Sequence, residues 1–345
     1  MTSRRPSGAP QWSAQAGQTP VVHLHHEAVG PRPGSARPDR AGRRGGWQYP
    51  SYEADSALAS KVTHYQEAPP SDVSLPSFSE APVVEVALAV AFEPLALRSF
   101  EIVRIWDALF LDQFPHAEEQ PPFQMPIEQF ASRPEIPSLN LQLMRGMPVP
   151  RLVLHNDVPD ASTQVIQLQN NHCARNWRKS SADTDYPRYP ALQQAFAHDL
   201  ERLQEYLLAK NVGTLRPVQC ELTYINHIAS PPGTDLGDVL TIVARRPRMP
   251  EGVPEPDAMR VGAQYVINQA GGPVGRVHVS ADPAARRKDG SPIILLNVTA
   301  RGRPLGDGLA GALDFLALAH GHAVRVFEGI TRPEMHRMWG GTHGT

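Results

Sequence analysis

A chain of 345 residues with 41% hydrophobic and 20% charged side chains has the make-up of a globular protein able to bury a substantial core. Its formal net charge of −2 excludes a protein built globally to hold nucleic acid or acidic membranes, which takes clustered Lys and Arg. Two cysteines exclude a disulfide framework and point to a reducing, cytoplasmic compartment; the longest apolar run, Val83 to Phe92 with Glu85 inside it, spans only about half a membrane, so no membrane partner is expected.

Residues 1 to 75 are rich in Pro, Gly, Ser and Arg with almost no apolar periodicity, and read as a disordered tail that cannot repay the entropy of ordering. Seven arginines against Glu27 and Asp39 make residues 1 to 50 basic, so a nucleic-acid arm is the weaker alternative to a plain extension. Arg4 and Arg5 precede no apolar stretch, and no secretory signal is expected.

Order begins with a strand at Pro82 to Phe92, ended by Pro94. A helix follows from Leu97 to Phe114, with Phe100, Val103, Trp106, Phe110 and Phe114 on its apolar side. Residues 115 to 150 are proline-rich and patternless, an extended crossing loop. Arg151 to Asn156 is a short strand, and Gln164 to Gln169 and His172 to Arg178 form a hairpin around Asn170-Asn171, where a two-residue loop favours positive φ. Pro190 opens a helix whose Leu192, Phe196, Leu200, Leu203 and Leu207 recur at helical spacing and which stops near Lys210 to Gly213.

Pro217 to Ile228 has strand composition. A short apolar piece at Leu236 to Val243 and a loose link at Arg245 to Asp257 lead to strands at Arg260 to Asn268, Val274 to Ser280 and Pro292 to Ala300. A second long helix runs from Asp307 to Glu328, and Thr331-Arg-Pro-Glu334 reads as a capping box before a short C-terminal helix whose Met335, Met338 and Trp339 dock on the body. The expected fold class is α+β: two β-α-β-β-β-α-like halves, residues 76–216 and 217–345, each a curved antiparallel sheet holding a long amphipathic helix.

Five separated motifs occur in order: Pro82-Val-Val-Glu-Val; Phe114-Pro115 with Glu118-Glu119-Gln120-Pro121; Asn176-Trp177-Arg178-Lys179 with Tyr186-Pro187-Arg188-Tyr189; Glu221-Leu-Thr-Tyr-Ile-Asn-His227; and Thr331 to Gly340. Over residues 80 to 340 the chain resembles a sporadically distributed bacterial and archaeal family of uncharacterised proteins. The resemblance implies similar length and layout, and no activity or catalytic residue.

The polar groups gather at the ends of two strands. Arg178 can bind an anion bidentately while Trp177 stacks or fills the core. Tyr224, Asn226 and His227 end an apolar strand as a pocket mouth would. Strand alternation allows only one of Trp177 and Arg178 to face Tyr224 and Asn226, and the charge of Arg178 makes it the chosen partner. Cys173 and Cys220 read as buried thiols. His320-Gly-His322 and His23-Leu-His-His26 lack the ligands of a metal site, and the loops Gly233 to Gly237 and Gly302 to Gly306 lack the Lys-Ser/Thr ending of a phosphate cradle. No metal or cofactor is expected. The favoured function is a non-enzymatic module binding a small molecule or protein partner; the alternative is an enzyme using His227 as base, Tyr224 as acid and Arg178 as anion clamp.

Overall fold

The computed structural model describes residues 74–130, 149–182, 184–231, 233–245, 249–254 and 256–342, so the tail expected over residues 1 to 75 lies outside them save its last two positions. In chain order the elements are β1 (Ser77–Phe78), β2 (Val83–Phe92), α1 (Ser99–Leu109), β3 (His116–Gln120), β4 (Arg151–His155), β5 (Gln164–Gln169), β6 (His172–Arg178) and α2 (Arg188–Ala209). They continue with β7 (Pro217–Ala229), α3 (Leu236–Val239), β8 (Val261–Gln269), β9 (Gly272–Ala285), β10 (Pro292–Gly302), α4 (Gly308–Ile330), α5 (Pro333–Met338) and β11 (Gly341–Thr342).

The class is α+β, and its frame is one antiparallel sheet of nine strands in the order β3-β4-β5-β6-β2-β7-β10-β9-β8; β1 pairs separately with β11. Two sheets, one per half, were expected, but β2 pairs with both β6 and β7 and joins the two meanders into one. The reason lies in its sequence. Val86, Leu88, Val90 and Phe92 alternate with Ala87, Ala89 and Ala91, a pattern apolar on both faces that suits a central strand. Residues 116–120, expected to be loop, form an edge strand on β4; two glutamates are tolerated there because the edge meets solvent.

Helices α1, α2 and α4 lie together on one face of the sheet. The stripe of α2 is as read, with Leu192, Phe196, Leu200, Leu203 and Leu207 all buried. At its end Asn211 takes φ 54°, and the Val212 amide reaches back to the Leu207 carbonyl at 2.9 Å, closing the last turn. In α1 the inward residues are Ile102 and Ile105, while Phe100 and Val103 are exposed. Beside its polar Glu101, Arg104 and Asp107 the helix carries apolar residues at two phases, so spacing alone supports two stripes and the sheet selects the one with Ile102 and Ile105. On α4 the buried stripe is Ala312, Phe315, Leu316, Ala319 and Ala323; Ala317 is exposed. Gly275 and Gly302 admit the Phe315 ring, which a Cβ on either would meet at under 3 Å.

Three local expectations are corrected. Asn170 and Asn171 do make the hairpin loop, but among the described residues Arg188 and Asn211 are the non-glycine ones with positive φ. Thr331 does not cap α5: its hydroxyl instead donates to the Phe327 carbonyl and bonds His336 Nε2, both at 2.7 Å. Trp339 docks against Phe78 and Phe327, whereas Met338 is exposed.

The other face is crossed by residues 121–130. Gln169 holds the backbone of Phe123 by both its amide ends, at 2.8 and 3.0 Å. Met125 settles on Ala89, Ala91 and Ala174. Glu128 takes Arg276 and His278 on its carboxylate while its amide reaches Gln219 at 3.1 Å. No described helix is long and apolar enough to cross a membrane.

Candidate functional site

Alternation along β7 sends Tyr224 and Asn226 to the helix-covered face and His227 to the other. Tyr224 stands opposite Val86, and Val86 opposite Trp177, so Trp177 shares their face. Asn226 sits between Val83 and Leu296 and donates to the Leu296 carbonyl at 3.1 Å.

Over this corner of the sheet three elements close. The entry into α2 brings Tyr186, Arg188 and Tyr189, and the middle of α4 brings His320 and Val324. Residues 75–81 form the remaining wall, held by the β1–β11 ladder and by Arg188, whose guanidinium donates to the Phe78 carbonyl at 3.0 Å. They enclose a cavity of about 410 Å³, within the range of small-molecule sites.

Its polar groups converge at one end. Tyr224 Oη and His320 Nδ1 share a hydrogen bond of 2.8 Å, and the imidazole lies flat on the Tyr189 ring, centroids 4.0 Å apart and planes 9° from parallel. Trp177 backs the Tyr186 ring at 5.1 Å, and the Arg188 guanidinium sits 5.6 Å over Tyr186. Burial, helped by Arg325, holds His320 down at about 4. Burial pushes Tyr186 up to about 12 against a hydrogen bond with Tyr224, and raises Tyr189 and Tyr224 as well, with Tyr186 adding to both. At neutral pH the site therefore holds three phenols, a neutral imidazole and one cation, Arg188.

Two features are costly to the fold. The Tyr189 hydroxyl is buried without a hydrogen-bond partner, in a residue 5% exposed, an omission worth about 1–3 kcal/mol. Arg188 has φ 66°, a region that bulky L-residues avoid.

Arg178 does not join this group. It lies opposite Glu85 on the other face, its Nε 3.4 Å from the Glu85 carboxylate, because strand alternation carries it away from Trp177. There it ends a chain of polar contacts across five strands: Arg151 donates to Gln120 and Gln167 at 2.7 Å, Gln167 to Asn176 at 3.0 Å, and Asn176 to Glu85 at 2.5 Å. His227 is on that face too; burial lowers its pKa, with Arg286 adding and Glu85 opposing. The proposed base, acid and anion clamp thus stand on two faces of the sheet.

Cys173 and Cys220 flank Val90 from either side as buried free thiols, and burial pushes Cys220 to about 12 and Cys173 up as well. Among the described residues no three His, Cys, Asp or Glu side chains gather as a metal site would, His320 and His322 included; His23 to His26 lie outside them. Sequence reading missed Tyr186, Arg188, Tyr189 and His320 as site residues. The first three stood within the Tyr186-Pro187-Arg188-Tyr189 motif, but nothing in spacing joins His320 to Tyr224, 96 positions away. No protein-family model matches the chain, and no curated protein matches it either.

Proposed function

We propose that the chain is a non-enzymatic binding module for a small molecule with an apolar body and a hydrogen-bonding group, held between α2, α4 and the segment at 75–81. The observation carrying this reading is the cavity of about 410 Å³, in which Arg188 stands among the rings of Phe78, Tyr186, Tyr189 and Phe327. Tyr224 with His320 supplies a second anchor, and Trp177 and Asn226 support the walls rather than reach in as clamps. The acid–base reading loses its support with His227 and Arg178 on the far face. The nucleic-acid reading rests on residues 1 to 75, outside the described residues but for two. Membership of the family suggested by the five motifs would add layout and no activity.

The test is thermal unfolding of the full chain against a panel of small apolar compounds bearing one polar group. A compound at a hundred times its Kd should stabilise the protein by about 2.7 kcal/mol and lose that effect in Val324→Trp, which fills the cavity from its half-exposed side. If no compound distinguishes the two proteins, the cavity is not a binding site.

A further inference from the structure

We propose that the ligand of this cavity is a small monocarboxylic acid with a flat apolar body, its carboxylate read by Arg188. The inference deepens the small-molecule reading above and rests on it. Charge is the first argument: among the lining residues there is no Asp or Glu, and Arg188 is the one ionised side chain, so a cationic ligand would meet an unopposed like charge and an anionic one its complement. His320 contributes no charge, since burial keeps it neutral.

The second argument is geometric. One N–H of Arg188 serves the Phe78 carbonyl, which fixes the side chain against the cavity wall and leaves the rest of its planar fork for a carboxylate. The third argument is backbone strain. At φ 66° glycine or asparagine would be comfortable, and an arginine held there by contacts at a cavity mouth is the pattern of a ligand clamp.

Size and wall chemistry set the body. About 410 Å³ equals the liquid volume of about fourteen waters at ~30 Å³ each, enough for a bicyclic acid of about that many non-hydrogen atoms. Phe78, Tyr186, Tyr224 and Phe327 offer ring faces and edges to a flat partner.

The test compares 2-naphthoate with 2-naphthamide, which has the same shape without the charge, by calorimetric titration of the full chain. The acid should bind the wild type at least about tenfold more tightly, the factor a charge-assisted hydrogen bond carries. Arg188→Gly, whose backbone adopts φ 66° without strain, should bring the two affinities together, and Val324→Trp should abolish both. Arg188→Lys, which keeps a charge at that position, should retain part of the preference and serves if the glycine variant is poorly folded. Equal affinities in the wild type, or a preference surviving in both Arg188 variants, overturns the acid while amide binding sensitive to Val324→Trp leaves the cavity standing. No binding sensitive to Val324→Trp by either compound overturns the acid, and a blank compound panel then removes the cavity as well.

Discussion

Both faces of the central sheet are drawn from the same strands, yet they are covered by opposite means. On the helix side β2 presents Val86, Leu88, Val90 and Phe92, and α2 answers with a leucine-rich stripe, giving a continuous aliphatic and aromatic core. A buried ion pair, Arg175 with Asp199 at 2.5 Å, ties α2 to β6. On the other side β2 presents Ala87, Ala89 and Ala91, and nothing larger than an extended segment fits over them. What holds that segment is polar: Gln169 on Phe123, and Arg276 with His278 on Glu128. A face of large residues recruits helices through area, whereas a face of small ones lets backbone approach and must fix it by hydrogen bonds.

This contrast can be broken most sharply from the helix side. Phe196→Ala removes a fully buried ring between α2 and the sheet and should cost about 3–5 kcal/mol, read from denaturant midpoints. A cost near that of a surface change would mean α2 is not seated as described. On the other face the sign of the size change reverses. Ala89→Leu should overpack the floor beneath Met125 and cost about 1–3 kcal/mol; if urea midpoints show it tolerated, the segment at 121–130 is not lying on Ala89.

The smallest effect is electrostatic. Burial alone would raise the Glu128 carboxyl, but hydrogen bonds and charges from His278 and Arg276 outweigh it and hold the pKa below the usual 4.5. Because the folded value is depressed, the contribution of Glu128 is present above pH 4.5 and is lost as pH falls through the lower folded value. Glu128→Gln should cost about 1–2 kcal/mol at neutral pH and should flatten the stability curve below pH 4.5. Parallel acid profiles in the two proteins would show that this latch does not bear on stability.

How much of this was legible in the sequence varied with how local the cause was. The α2 stripe could be read because its leucines recur at one unambiguous helical spacing, and the β5–β6 hairpin because polar Asn170-Asn171 ends the alternating run from Gln164 to Gln169. The phase of α1 could not, since Phe100 and Val103 compete with Ile102 and Ile105 and only the sheet beneath decides. In the site, Tyr224 and Asn226 were visible as polar groups on an apolar strand. Choosing Arg178 over Trp177 as their neighbour weighed chemistry above register, and register through Val86 settled it the other way. Tyr189 and His320 meet only because α2 and α4 lie side by side, information held by the fold and by no single stretch of chain.

The short ladder of β1 and β11 carries one more consequence. Ser77 faces Thr342 and Phe78 faces Gly341 in an antiparallel pair, so β1 and β11 are set as the two arms of a hairpin would be. A two-residue Asn-Gly bridge from Thr342 to Ser77 has the geometry to close that hairpin, since such links join antiparallel arms with the strands' own twist. The ring so made can be reopened in the exposed turn at Asp289-Gly290 between β9 and β10, giving a circular permutant with every sheet pairing retained and the cavity wall at Phe78 tethered at both ends.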